Sequence, residues 1–511
     1  MKKLSLLLIF AIALMPLLSK AQSTTTGGPE LSVNDKSLVW VLEDNSDFLR
    51  IAYVEISPMG MYDDIFISTY NKQSNTGIEQ NVDEDFEGRF VFLTDDGMLN
   101  IVQQYFNRKT KMLEYRKSSF PKDAKVPRKM EFSPFYSIPL DKMKSVFVKA
   151  AYSEDMTKFA IYTVLKTNDW RNPKHDVDVA VFDAEGTLLW HQTQQANDWF
   201  HAESFLLSND GTVYLADYGN IRNPYAGLSD YLIVSVFTEQ GVESQKIELD
   251  CASFSCEKVL LANGEMRVVG VGENKEGGYF LSTYKVAQDG SVDYSQSDIT
   301  LSTEIDGVAY DNLYAKQTDK YEPCVFTVIK LSDGKLFLTG EMCRRVEVGT
   351  YRDTDLPLYG RQSQNMFYAV LTEDGIMIES NEYPRSVITK SDFGDRNMMK
   401  RNPVDVFEYD RDVYLLYNDH RDNFKGSGQS CHTLQNNVPN QCCVVMSKVE
   451  SNGELQNSVL YLAKTNFKDP RYIAQQYDHE YYLKLVKVSG DGIYYILKND
   501  GEYRLEKISV E

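Results

Sequence analysis

Runs of five to ten residues, in which apolar side chains recur at every second position or fill the run, dominate this chain, and they predict β-strands rather than helices. Asp178-Val179-Ala180-Val181-Phe182-Asp183-Ala184-Glu185-Gly186-Thr187-Leu188-Leu189-Trp190-His191 shows the unit: a strand, a tight turn at Glu185-Gly186, and a second strand. Similar hairpins recur downstream, turning at Asn209-Asp210-Gly211, Gln240-Gly241, Asn263-Gly264, Asp289-Gly290, Asp333-Gly334, Asp374-Gly375, near Asp410-Arg411-Asp412 and at Asn452-Gly453. A Gly behind Asp, Asn or Glu marks a turn that needs positive φ.

Short turns alternate with long loops in a fixed order, so the hairpins group in pairs into four-stranded units. The last unit, from residue 483 onward, has only three strands, at 483–488, 493–498 and 503–510. Residues 38–42 (Leu-Val-Trp-Val-Leu) form a strand with no partner on their N-terminal side. Joining the two ends closes a ring and leaves no open sheet edge. The fold class is therefore all-β, a single β-propeller of antiparallel blades, with seven blades as the first count. The Lys-rich insert 108–141 holds Pro121 and Pro127, which favour an excursion. It also holds Met112-Leu113-Glu114-Tyr115 and Met130-Glu131-Phe132, which read as strands and allow an eighth blade.

The stretch Ala180-Val181-Phe182-Asp183-Ala184-Glu185-Gly186-Thr187-Leu188-Leu189-Trp190 resembles the repeat of quinoprotein-type propellers, in which a Trp docks between blades. More broadly the chain resembles secreted and periplasmic β-propeller proteins. The resemblance implies the shape of the blade. It implies no quinone, because the turn lacks the usual Thr-Gly and no other unit carries the Trp, so no cofactor is expected.

In a propeller the turns between strands 1 and 2 and between strands 3 and 4 share one face. The loops between strands 2 and 3 and the crossings between blades share the other. Tight Gly turns crowd the first face, which places the long segments 71–87, 344–364 and 418–441, with the crossings 301–323 and 385–403, on the second. Long loops gathered on a rigid scaffold are where binding sites usually lie. Trp170-Arg171 and Arg222 with Tyr225 occupy equivalent loops of adjacent units and offer Arg and aromatic groups to a carbohydrate, peptide or anion. Arg344, Arg345, Arg352 and Arg361 make a positive cluster suited to a carboxylate or phosphate. Trp199 and His201, with Glu203, open a unit where side chains can face the central channel, and His420-Arg421 offers the same possibility.

Composition narrows the function classes. The 511 residues are 42% hydrophobic and carry a formal charge of -20, which disfavours nucleic acid and anionic lipid as partners. Lys2-Lys3, the apolar run 4–18 and Ser19-Lys20-Ala21 read as a signal peptide cleaved after Ala21. The Thr- and Gly-rich stretch that follows, within 22–37, reads as a disordered linker, and the propeller as 38–511. No later run approaches the ~18–20 apolar residues of a membrane helix. The mature chain is expected in the periplasm or outside the cell, as a monomer without membrane insertion.

Export permits disulfides. With Asp333-Gly334 as a two-residue turn, Cys324 and Cys343 fall opposite each other. Cys251 and Cys256 could staple a short loop, and Cys431 could close onto Cys442 or Cys443. The six histidines show no HExxH spacing and the cysteines no CxxC pair, so no metal site is expected; Asp83-Glu84-Asp85 lacks a dedicated calcium-loop pattern. There is no GxSxG elbow and no dinucleotide fingerprint, since Gly270-Val271-Gly272 lacks the third Gly. The expected function is that of an exported non-catalytic binding or scaffold propeller recognising a protein or glycan through the long-loop face. The alternative is a glycan-active hydrolase or lyase with a carboxylate/His site at the channel mouth, since such a site draws on several blades and leaves no linear motif.

Overall fold

The computed structural model describes residues 24–510 except 33–37, 57–61, 82–87, 95, 125–129, 141–144, 167–174, 197–204, 220–230, 311–315, 318–319, 351–356, 391–403, 425–429, 433, 436–441, 463–482 and 500–501. Its strands form a β-propeller of eight blades. Blade 1 is Leu38–Asp44, Phe48–Ile56, Tyr62–Asn71 and Thr76–Asn81; blade 2 is Gly88–Leu93, Met98–Asn107, Met112–Pro121 and Ser133–Pro139. Blade 3 is Ser145–Tyr152, Lys158–Lys166, His175–Asp183 and Leu188–Ala196; blade 4 is Phe205–Leu207, Val213–Gly219, Tyr231–Thr238 and Gly241–Glu248. Blade 5 is Ser253–Leu260, Met266–Glu273, Tyr279–Val286 and Val292–Asp298; blade 6 is Glu322–Lys330, Leu336–Thr350, Pro357–Leu371 and Met377–Lys390. Blade 7 is Val404–Tyr409, Asp412–His420, Cys442–Val449 and Leu455–Leu462; blade 8 is Leu483–Ser489, Gly492–Asn499 and Glu502–Ser509, with Thr24–Leu31 beside the last.

The seven-blade count is thus corrected to eight, and the insert 108–141 supplies the missing strands. The hairpin at Asp96-Gly97 joins the first two strands of blade 2, because Tyr62–Asn71 and Thr76–Asn81 already fill the outer half of blade 1. Pro134 and Pro139 are tolerated since Ser133–Pro139 is an outermost strand with one unpaired edge. The terminal pairing is corrected too. Residues 38–42 open blade 1, and the strand beside the C-terminal hairpin comes from the stretch expected to be a disordered linker: Thr24 lies opposite Ser509 and Leu31 opposite Tyr503.

Eight large apolar clusters hold the ring, each drawing on two neighbouring sheets. Between blades 2 and 3, Phe159 stacks on Phe92 with ring centroids 4.4 Å apart and on Phe182 at 4.9 Å. Each such buried ring is worth about 1.5–3 kcal/mol relative to exposure. Leu49, Ile51 and Tyr70 of blade 1 pack with Tyr494, Ile496 and Leu505 of blade 8, so the first and last sheets meet as other neighbours do. Trp190 is half-buried against the blade 3–blade 4 cluster, the inter-blade position that the quinoprotein resemblance implies.

The repeated hairpins also register one blade on the next. At five successive interfaces a donor from one blade bonds a carbonyl in the strand 3–4 turn of the following blade. Lys117 Nζ reaches Glu185 O at 2.9 Å, Gln192 Nε2 reaches Glu239 O at 3.0 Å, and Gln245 Nε2 reaches Gly290 O at 2.7 Å. Arg267 Nη2 and Tyr383 Oη do the same for Glu373 O and Gly453 O. The turn must come close for this, which explains its Gly. Gly290 has φ +78°, and a Cβ there would lie 2.6 Å from Glu243 Cβ. At Asp410-Arg411 the turn manages without Gly, both residues taking positive φ (49° and 70°).

Candidate functional site

The longest strands mark one sector of the long-loop face. In blade 6, Leu336–Thr350 and Pro357–Leu371 have 15 residues each and Met377–Lys390 has 14, against 3 to 10 for the strands of the other blades. The expected loop 344–364 is therefore mostly a hairpin that runs beyond the blade. The expected loop 71–87 is likewise corrected, since it contains a turn and the strand Thr76–Asn81. Short segments of the crossings pair onto the projection. Lys316–Gln317 runs antiparallel to Val346 and Glu347, Leu434–Gln435 runs parallel to Val387 and Ile388, and Ala309–Tyr310 pairs with Ser430–Cys431.

A bulge anchors this annex. Asn365 is fully buried with φ 55°, and it interrupts the pairing of Glu341–Met366 and Met342–Gln364. Its Nδ2 donates to Ser302 O at 2.7 Å, while Gln364 Nε2 donates to Thr303 O at 2.6 Å. Tyr310 and Tyr321 donate to Asn365 and Gln364 in turn. Glu382 accepts from Ser302 N at 2.6 Å, and burial raises its carboxyl above the usual range. These bonds fix the start of the 301–321 crossing to the base of the hairpin.

Beneath them, between blades 6 and 7, lies a group of buried ionisable side chains. Glu341 (0% exposed) pairs with Arg385 (2%), whose Nη2 also donates to Asn418 O at 2.7 Å. The Arg385 guanidinium lies 5.2 Å from the Tyr417 ring centroid, and that of Arg361 lies 5.3 Å from the Phe326 centroid. Asp419 accepts from His420 N at 2.6 Å and Asn423 Nδ2 at 3.0 Å. Burial pushes its carboxyl up to about 6, against the opposing pull of Arg385 and these bonds. A buried pair of this kind adds little net stability, yet removing one partner strands the other charge. Within this group, the bond from Arg385 to Asn418 O links blade 6 to blade 7.

The sequence-derived site residues divide in three. Trp170, Arg171, Trp199, His201, Arg222, Tyr225 and Arg352 lie outside the described residues, as do Glu203 and Asp83-Glu84-Asp85. Arg344 and Arg345 sit on the hairpin. Arg344 bonds Gln362 Oε1 at 2.6 and 2.9 Å over the Tyr321 ring, and Arg345 is exposed. Arg361 stands opposite Arg345 in register but is 2% exposed, so the expected surface cluster is not one patch. His420 is 5% exposed, its Nδ1 accepting from Asp422 N at 3.2 Å and its ring 5.3 Å from His432; Arg421 is half-buried beside Asp422. Glu341 and Arg385 escaped sequence reading because each sits in a strand whose alternation gives no sign of a charged partner two strands away in the same blade.

The cysteine pairings are corrected as well. Cys251, Cys256, Cys324, Cys343, Cys431 and Cys443 are all free thiols. The turn after Lys330 is wider than two residues, with Lys330 opposite Leu336, and a bulge follows between Val325 and Thr327. Together they set Cys324 opposite Glu341 and Cys343 opposite Glu322, and the two thiols meet across this diagonal without being joined. Cys256 lies within the strand Ser253–Leu260 and Cys251 before it, so there is no loop for a bridge to close. Cys443 donates to Asp419 O at 3.4 Å. Among the described residues no group of three or more His, Cys, Asp or Glu is placed to hold a metal ion, and no helix is long and apolar enough to cross a membrane.

No protein-family model matches this chain, and no curated protein does. Solved structures do. The β-propeller domain of the Trilobed protease from Pyrococcus furiosus is 10% identical with a TM-score of 0.34, over 84% of this chain and 98% of that one. Polysaccharide lyase Uly1 is 8% identical with a TM-score of 0.38, over 95% and 92%. Pyrococcus horikoshii acylaminoacyl peptidase is 9% identical with a TM-score of 0.35, over 90% of this chain and 57% of its own. The likeness is one of architecture alone, shared by propellers with unrelated activities.

Proposed function

We propose that this chain is an exported binding propeller that recognises a protein or glycan with the face carrying the blade 6 hairpin. The observation that carries the reading is the hairpin itself. Its stem extends beyond the blade, is flanked by added strands and is fixed by the Asn365 bulge, which preorganises the stem for a partner. Arg345 is exposed on it, and Arg344 stacks on Tyr321 at its base, groups that suit a planar or anionic epitope. The charged and apolar pattern of residues 2–21 supports export. The alternative, a glycan-active hydrolase or lyase, draws no support from Asp419 and His420, which at 3% and 5% exposure present no reactive atom to a substrate in this conformation.

The test replaces residues 348–358 by Asn-Gly, a two-residue turn that keeps the Glu347–Tyr359 pairing intact. Pull-downs from culture supernatant and a glycan array are run with both proteins. Loss of a wild-type ligand with an unchanged melting midpoint supports the reading. Undiminished binding by the shortened protein removes it.

A further inference from the structure

A second concavity lies on the opposite face, that of the tight turns. The inner strands of blades 3, 4, 5 and 6 end around a cavity of about 460 Å³ at the tight-turn mouth of the central channel. That is within the roughly 300–1,000 Å³ typical of small-molecule sites. Its wall is largely apolar, with Tyr152, Leu206 and Val259 contributed by three different blades. Leu206 and Val259 are half-buried: each packs against an inter-blade cluster and leaves part of its side chain on the cavity wall.

Two cations stand on this wall. Lys258, which lines the cavity, donates from Nζ to Ala216 O of blade 4 at 2.9 Å. Lys330 comes from blade 6 and meets Glu154 of blade 3 at 3.8 Å, beyond hydrogen-bond length. Blades 3 and 6 are three positions apart, so this loose pair spans the mouth. Glu154 is 75% exposed and Lys330 25%, and a solvated pair of this kind is worth little. An anion entering the cavity can therefore take Lys330 from Glu154 at small cost. In a molecule of formal charge -20, a cationic pair over an apolar wall selects a particular ligand chemistry.

We propose that this mouth is a binding site for a small organic anion with an apolar body, its acid group held by Lys258 and Lys330 and its body lying on Leu206 and Val259. The site is independent of the hairpin face, so either can fail without the other.

The probe is 8-anilinonaphthalene-1-sulfonate, an aromatic sulfonate whose fluorescence rises in apolar surroundings, titrated into the folded full chain. The expected result is saturable binding at one site, displaced by octanoate and not by octanol. Lys258→Met with Lys330→Met should weaken it at least tenfold, and Leu206→Trp, which fills the cavity, should abolish it. Glu154→Gln should tighten binding two- to fivefold by freeing Lys330, while Glu185→Gln, an exposed acid on the same face, should leave it unchanged. Melting curves identify any variant that fails to fold. A second cavity-filling change, Val259→Trp, stands in if Leu206→Trp is lost. Absence of saturable binding overturns the proposal. So does full affinity in the double lysine variant, or equal displacement by octanol, because either shows an apolar site without anion selection.

Discussion

Lys72 fastens blade 1 to blade 8, and its replacement by Met should loosen that junction selectively. The Lys72 side chain is 4% exposed, with Nζ 2.6 Å from Asp44 Oδ1, 3.1 Å from Asp491 Oδ1 and 3.2 Å from Ser489 Oγ. Methionine keeps the length and apolar stem but removes the cation that lies between the Asp44 and Asp491 carboxylates. Removing one partner from a buried pair costs about 3–5 kcal/mol. Here Asp491 is 39% exposed and keeps Lys507 at 2.8 Å, so solvent and the second lysine reduce the loss to about 2–3 kcal/mol. The assay is native-state hydrogen exchange at amides of Gly492–Asn499 and Glu502–Ser509, which should exchange about 30- to 150-fold faster, given 1.4 kcal/mol per factor of ten. Amides of blade 4, across the ring, should not change. Adding Asp44→Asn should recover part of the loss by removing one repelling charge.

The pH dependence gives a second handle on the same junction. Burial works against the charged form of Asp491, but hydrogen bonds from Lys507, Tyr494, Lys72 and Ser489 outweigh it and hold the carboxyl well below its ordinary range. A depressed carboxylate contributes stability that is complete above its unfolded value of about 4 and fades as pH falls further. Burial opposes the charge on Lys72 as well, yet Asp44 and Asp491 raise its value, so its share persists until strongly alkaline pH. The difference between wild type and Lys72→Met should therefore be flat from about pH 5 to 9 and shrink toward pH 3. Equal exchange in blade 8 of the two proteins at pH 7 would refute the latch.

Three further outcomes follow from the packing. Asp419→Asn should stabilise the protein by about 1–2 kcal/mol at pH 8 and hardly at pH 4 in urea unfolding, because a carboxyl raised to about 6 by burial penalises the folded state once ionised. Gly290→Ala should lower the melting midpoint, since φ +78° costs a side chain about 1–2 kcal/mol before the clash with Glu243 is counted. In the non-reduced protein, alkylation before and after unfolding should recover Cys324 and Cys343 as thiols that react only once unfolded, at 7% and 0% exposure; a peptide linking them would contradict their assignment as free thiols.

The sequence by itself determined the local structure: period-two strands, hairpin turns at Gly, and the sorting of turns and long loops onto opposite faces. These are short-range matters of backbone geometry, decided by residues a few positions apart. The blade count was not legible, because a hairpin signal does not say whether it joins the first two strands of a blade or the last two; only the packing of Tyr62–Asn71 and Thr76–Asn81 assigns Asp96-Gly97 to blade 2. Pairing of Thr24 with Ser509, and of Lys72 with Asp491, spans almost the whole chain and leaves no local trace. The Lys258–Lys330 mouth and the bond from Arg385 to Asn418 O share this origin, since each joins residues of different blades. Tertiary structure decided them because the burial and electrostatic environment that give those residues their roles exist only once the blades meet.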